Sequence, residues 1–290
     1  MKKAQFDDVD LMLVDPAQGT RDSIRNILHN QGFRNLGTGA RLKEIHQRFD
    51  DATPDLLISD IDLEDGDFCS FVASVRQSNV GDNPFIPVVG LTSNPTPDLV
   101  KVAVNSGVDH LLVKPFSTGQ LMDRINALIE ARNPFIVTYD YIGPERRTGD
   151  QRSSEIPHMD VPNILRAKAF GQMGDLDAEK AIKTAQTKIN SRKLDRNVFQ
   201  IGFLVGHITT SLEKGIVDNT TSAFLLQLLN VIEETEQRVG GTQYTAISKD
   251  CESLANVTKS IRASKESPGF DEIVQLKLLS QGIQKCFDEA

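Results

Sequence analysis

The chain has 290 residues, of which 39% are hydrophobic and 25% charged, and a formal net charge of −8. This composition supports a packed core and excludes global disorder, and the length fits two domains at roughly 100–200 residues each. No run reaches the roughly 20 apolar residues of a membrane helix, no secretory segment is recognisable, and Cys69, Cys251 and Cys286 form no CxxC pair. A disulfide scaffold and a zinc finger are therefore excluded, and a cytoplasmic protein without membrane insertion is expected.

The acid is unevenly placed. Residues 1–132 carry 13 Lys and Arg against 19 Asp and Glu, residues 133–160 carry 3 against 5, and residues 161–290 carry 16 against 16. Neither half is basic, so the phosphate neutralisation that drives nucleic-acid binding has no obvious source.

In chain order, VDLMLV (9–14) is a short apolar run ending at Asp15, as a buried parallel strand would be. A helical pattern with Ile24, Ile27 and Leu28 on one face follows at 20–31. DLLISD (55–60), FIPVVGL (85–91) and DHLLV (109–113) repeat the strand pattern, with helical periodicity at 67–78, 97–106 and 117–131 between and after them. Gly107 is a plausible helix stop. Strands alternating with helices imply a parallel sheet covered on both faces. In such a sheet ligands bind beyond the carboxyl ends of the strands. Asp15, Asp60, Thr92 and Lys114 all fall there. Carboxylates suit Mg²⁺, and one can also act as a nucleophile toward a phosphoryl group whose oxygens a lysine and a hydroxyl then bind.

With LMLVD at Asp15, DLLISDIDLEDG around Asp60, VVGLTS at Thr92-Ser93 and GVDHLLVKPF around Lys114, residues 8–132 resemble a bacterial response-regulator receiver domain. The resemblance implies a flavodoxin-like (βα)5 doubly wound parallel sheet. It makes Asp60 the phospho-acceptor, Thr92 the switch hydroxyl, Lys114 the phosphate-sensing residue and the Lys114–Pro115 bond cis. It also implies Mg²⁺ held by Asp15, Asp60 and the Asp62 carbonyl. The chain departs from the family pattern at several points. Pro16 stands where a second acid is usual, which predicts weaker Mg²⁺ binding; Glu64 replaces a proline, Phe68 a glycine, and Leu111 the aromatic switch residue.

Residues 133–160, with Pro134, Pro144 and Pro157, read as a linker. A second reading makes them a semi-ordered arm whose Tyr139 and Tyr141 dock on a domain and whose Arg146-Arg147 pair meets the acidic receiver.

Residues 161–290 read as an all-α helical bundle, with helices from Val161, at 175–190 (capped by Asp175) and 197–213, then at 220–239, 244–264 and 270–288. His207 is read as a packed core residue, His158 as lacking a local partner, and Gly202 and Gly206 as a close helix contact. Asp271 and Gln275 share a helical face, the spacing of a carboxylate–amide phosphatase pair. No Walker loop, nucleophile elbow, metal cluster or basic recognition helix occurs here, so no catalytic residue is assigned to this half.

The expected function is that of a two-component phosphorelay response regulator. A partner histidine kinase or phosphotransfer protein would phosphorylate Asp60, and a helical, non-DNA-binding output would act on a downstream protein or on a second copy. A helical half acting as phosphatase or phosphotransfer module, and a receiver working without phosphorylation, remain the alternatives.

Overall fold

The computed structural model describes residues 4–146, 157–172, 174–263 and 269–289. The chain divides into two compact units, residues 1–187 and 188–290.

In the first unit, β1 (Asp10–Val14), β2 (Asn35–Gly39), β3 (Leu56–Asp60), β4 (Val88–Thr92) and β5 (His110–Val113) form one parallel sheet in the order β2-β1-β3-β4-β5. This is the flavodoxin-like order, with its switch point between β1 and β3. The alternation along each strand sends neighbouring residues to opposite faces. Leu11 and Leu13 join Ile24 and Leu28 of α1 (Gln18–Asn30) and Leu121, Ile125 and Leu128 of α5 (Thr118–Glu130). Met12 and Val14 join Ile45 and Phe49 of α2 (Leu42–Asp51) and Phe68 and Val72 of α3 (Phe68–Arg76). Ala103 of α4 (Pro97–Asn105) completes that second face. Thr96 caps α4 ahead of a proline at its first helical position, and Ser117 caps α5 through a reciprocal bond with Gln120.

The four strands read from apolar runs are all present. The fifth, β2, reads NLGTG and has no apolar run to reveal it; its pairing with β1 makes it a strand.

Residues 133–146 are not a free tether. Phe135–Val137 (β6) and Ile142–Pro144 (β7) form an antiparallel hairpin, and Phe135 bridges on to Met159. Phe135 is fully buried, with the Arg76 and Arg132 guanidinium carbons 5.3 and 5.1 Å from its ring centroid. Tyr141 is half-buried and donates to the Pro144 carbonyl, whereas Tyr139 is exposed. Arg146 Nη1 donates to the Asp109 carbonyl at 2.7 Å; Arg147 lies outside the described residues. His158, expected to stand alone, has its Nε2 3.1 Å from Glu145 Oε2. A chain with Phe135, Val137 and Ile142 can bury them against the receiver, and that burial outweighs the prolines' reluctance to form regular structure.

The compact unit also extends beyond residue 160. α6 (Ile164–Ala169), capped by Asn163, inserts Leu165 and Ala169 into the α1–α5 face. Asn163 Nδ2 and Arg166 Nη1 donate to the carbonyls of Leu128 and Ile129, and Lys168 pairs with Asp55 at 3.0 Å. These side chains satisfy orphan carbonyls at the end of α5, which ties α6 to it.

The second unit begins at Lys188, inside α7 (Asp175–Glu213), and is helical. α7 is one 39-residue helix where two were expected, because residues 190–196 contain neither glycine nor proline to end it. The cap expected from the Asp175 side chain lies outside what is described. α8 (Asn219–Val239), capped by Asp218, is followed by a 3₁₀ turn (Thr245–Ile247), α9 (Ser248–Ala263) and α10 (Phe270–Asp288). Their core contains Leu194, Ile201, Leu204, Ile208, Leu228, Ile232, Leu254, Leu276 and Ile283. Gly202 and Gly206 do not mediate packing inside the bundle. Both are exposed, and a methyl group built on either would meet nothing within 4 Å. Among the described residues no helix is long and apolar enough to cross a membrane.

Candidate functional site

The carboxyl ends of β1, β3, β4 and β5 bring Asp15, Asp60, Thr92 and Lys114 together. Asp15 follows β1 and is fully buried; Asp60 ends β3 and is 5% exposed. Lys114 Nζ donates to Asp15 Oδ2 at 2.8 Å and also to Asp60 Oδ2. One ammonium thus bridges two buried carboxylates. Burial works to lower the Lys114 pKa, but the hydrogen bonds it donates to Asp15 and Asp60 outweigh it, and the amine is held above its ordinary value.

The backbone orients both acids. Asp15 Oδ1 accepts from the Ala17 amide at 2.8 Å and Asp60 Oδ1 from the Asp62 amide at 2.7 Å, which leaves the Oδ2 atoms to the lysine. The Lys114–Pro115 peptide is cis, as expected. The Lys114 amide also bonds the Thr92 carbonyl at 2.8 Å, which fixes the lysine to the end of β4. Thr92 is fully buried, and its hydroxyl lies 3.4 Å from Asp62 Oδ2 and accepts from the Asn94 amide at 3.1 Å.

Asp62 does not join Asp15 and Asp60 as a third carboxylate. It is exposed and its side chain turns toward Thr92. Among the described residues no three His, Cys, Asp or Glu side chains gather as a metal site. Two carboxylates and a main-chain carbonyl still match the hard-oxygen chemistry of Mg²⁺, which keeps several waters and often uses only one or two protein carboxylates. Pro16, at the position of a second acid, adds none.

Arg21, not singled out from the sequence, donates through Nη1 to the carbonyls of Asp15 and Pro16 at 2.6 and 3.1 Å. Its place near the start of α1 gives it no mark distinguishing it from a solvated arginine. Beside the site, a cavity of about 810 Å³ is lined by Ala17, Thr20, Ile24, Ser93, Lys114 and Phe116, among others. Phe68, where the family has glycine, is fully buried in the second core face. Leu111, in the aromatic switch position, packs against that same face.

The family model of the response regulator receiver domain matches residues 11–126. This part of the chain is a receiver domain. The receiver is 28% identical over 127 residues to the transcriptional regulatory protein TrcR of Mycobacterium tuberculosis, covering 44% of this chain and 48% of that protein. It is 28% identical over 121 residues to KdpE, the KDP operon regulator of Escherichia coli, covering 41% and 50%. The chain spans about half the length of these curated relatives, which it matches only through the receiver. Among solved structures, the chemotaxis response regulator CheY4 of Vibrio cholerae shares 26% identity over 41% of this chain and 96% of its own, with a TM-score of 0.37. The family model makes residues 11–126 the receiver domain of a two-component response regulator and does not extend into the helical unit.

In that unit His207 is exposed, not packed in the core. Its ring lies 4.5 Å from that of Phe203 and 5.7 Å from that of Phe224. Asp271 and Gln275 are exposed on one face of α10.

Proposed function

We propose that the receiver accepts a phosphoryl group on Asp60 and passes its state to the helical unit, which acts by binding another protein. The observation that carries this reading is the bridge of Lys114 between Asp15 and Asp60 at the carboxyl edge of the sheet. In it the Asp60 carboxylate, 5% exposed, already lies against one cation through its Oδ2. The donor would be a phosphohistidine on a kinase or phosphotransfer protein, and its approach would be along the cavity beside Lys114 and Phe116. Asp60 Oδ2 attacks phosphorus, the P–N bond breaks, and the imidazole leaves with a proton from the medium. Mg²⁺, held by Asp15, Asp60 and the Asp62 carbonyl, would supply charge neutralisation. Lys114 would turn from the Asp60 carboxylate to the new phosphoryl oxygens, and the Thr92 hydroxyl, 3.4 Å from Asp62, would swing to them. The missing acid at Pro16 makes the metal weaker and gives Lys114 a larger share of the charge. A cytoplasmic setting without nucleic-acid binding goes with this reading.

Incubating the chain with Mg²⁺ and a small-molecule phosphodonor should add one phosphoryl group to the intact mass, and Asp60→Ala should abolish the gain. No gain in the wild type would establish a receiver that works without phosphorylation. A gain that persists in Asp60→Ala would overturn the assignment of Asp60.

The exposure of His207 supports a second reading, in which the helical unit relays phosphate. His207→Gln leaving all phosphate transfer from the phosphorylated chain unchanged would remove it.

A further inference from the structure

α7 carries a stripe of side chains that points away from the core of its own unit. Leu194, Ile201, Leu204, Ile208 and Leu212 form the buried face of the helix. On the opposite side, at successive steps of three and four residues, stand Arg192, Asp195 and Arg196, Phe199, Gly202 and Phe203, Gly206 and His207, Thr210, and Glu213 with Lys214 just beyond the last turn. Phe199 is 67% exposed and Phe203 47%. Two large aromatic side chains on one exposed helical face form the kind of apolar patch that a soluble protein covers. Beside them, Gly202 and Gly206 have no side chain and leave a trough in the stripe that opens to solvent, since an added methyl group would meet nothing within 4 Å.

We propose that this face is the interface of a homodimer in which two copies of α7 pair antiparallel about a two-fold axis that crosses the stripe midway between Phe203 and Gly206. The charges decide both the occupant and its direction. In that pairing Arg196 of each copy faces Glu213 of the other, Asp195 faces Lys214, and Phe203 lies over Gly206, where there is room for its ring. A two-fold interface repeats every such pair, so one sequence supplies four complementary ion pairs and two aromatic-in-trough contacts. A parallel pairing would set Arg196 on Arg196 and Glu213 on Glu213, and like charges face to face oppose association. An unrelated partner would not need acid and base to be mirrored at equal distances from the centre of the trough. Glu213 already lies 2.6 Å from Lys277 of α10, and both are about half exposed, so it can share a second cation. The interface lies wholly within residues 188–290, and the inference does not depend on whether Asp60 is phosphorylated.

The test uses the full chain in sedimentation velocity over a range of concentrations. The wild type should dimerise. Phe199→Ala and Phe203→Ala, which remove exposed rings, should each weaken the dimer at least roughly thirtyfold without changing helicity. Arg196→Glu and Glu213→Arg should each weaken it roughly tenfold, and the double variant Arg196→Glu with Glu213→Arg should restore it. That restoration separates a direct pair from damage to the Glu213–Lys277 contact. A monomer at every concentration, whether because the receiver or another protein covers the stripe, overturns the proposal. So does a dimer indifferent to these substitutions, or a double variant as weak as the singles.

Discussion

The sheet of the receiver has a buried ionic cluster at each end, and the two are built to opposite ends. At the carboxyl edge, two carboxylates share one lysine. At the amino edge, one carboxylate has two arginines: Asp109, just ahead of β5, meets Arg76 Nη2 at 2.9 Å and Arg132 Nε at 2.8 Å. Every arm of Arg76 is used, because its Nη1 donates to the carbonyls of Pro84 and Ile86 and its Nε to that of Gly107. The Asp109 carboxylate also accepts from the Val88 amide. Burial works to raise the Asp109 pKa, but the fields of Arg132 and Arg76 outweigh it and hold the carboxyl below its ordinary value. Burial likewise outweighs Asp109 in lowering Arg76, to about 10, so it is still cationic at neutral pH. The Asp109 carboxylate is saturated, and its cluster joins α3, β4, β5 and the 135–144 hairpin. The carboxyl-edge cluster has excess negative charge and spare acceptors, which is the condition of a site that takes up cations and phosphate.

The sharpest way to break this contrast is to remove Asp109. Asp109→Ala strands two buried guanidiniums, and breaking a buried pair in this way costs about 3–5 kcal/mol. Hydrogen exchange at the β1 and β3 amides should accelerate by the corresponding factor. A cost below about 1 kcal/mol would show that the amino-edge cluster does not support the sheet. At the other edge the addition of an acid should help. Pro16→Asp gives the site a further carboxylate, and calorimetric titration should find Mg²⁺ bound roughly tenfold more tightly. Unchanged affinity would place the metal elsewhere.

The smallest effect is expected from neutralising the proposed phospho-acceptor. Asp60→Asn removes one of two carboxylates competing for Lys114 but leaves the lysine paired with Asp15, so no buried charge is stranded, and the same exchange measurement should change by less than about 1 kcal/mol. A loss as large as that of Asp109→Ala would erase the distinction between the two clusters.

Their pH dependences should also differ in sign. Asp109 has a folded-state pKa below 3.8, so its contribution is present above that value and is lost as pH falls through the folded pKa. Lys114 has a folded-state pKa above 10.5, so its contribution is present below that value and is lost as pH rises through the folded pKa. Stability measured against pH should show the acid-side loss reduced in Asp109→Asn and the alkaline loss reduced in Lys114→Met.

The carboxyl-edge site was legible because its residues end strands, and a parallel sheet gathers the ends of its strands whatever lies between them. Apolar runs mark β1, β3, β4 and β5, and the site residue lies at or just past the end of each strand. The amino-edge cluster carries no such mark. Arg76 ends an amphipathic helix and Arg132 follows another, and nothing in the spacing of either says that it turns inward to a shared aspartate. β2 was illegible for a related reason, since NLGTG becomes a strand only through hydrogen bonds to β1. His207 was misplaced because it neighbours Ile208, and adjacent residues on a helix face different directions by about 100°.

The sequence by itself determined the alternation of strands and helices and the four residues that meet at the carboxyl edge, because local periodicity and position in a strand suffice for these; the acid missing at Pro16 is visible only against the resemblance to receiver domains. Only the tertiary structure decided that residues 133–146 and α6 belong to the receiver unit and that α7 runs unbroken. It also decided that Phe199 and Phe203 face outward. Each of these depends on which surface is nearby to bury a side chain, and that follows from the packing of the whole chain rather than from any local pattern.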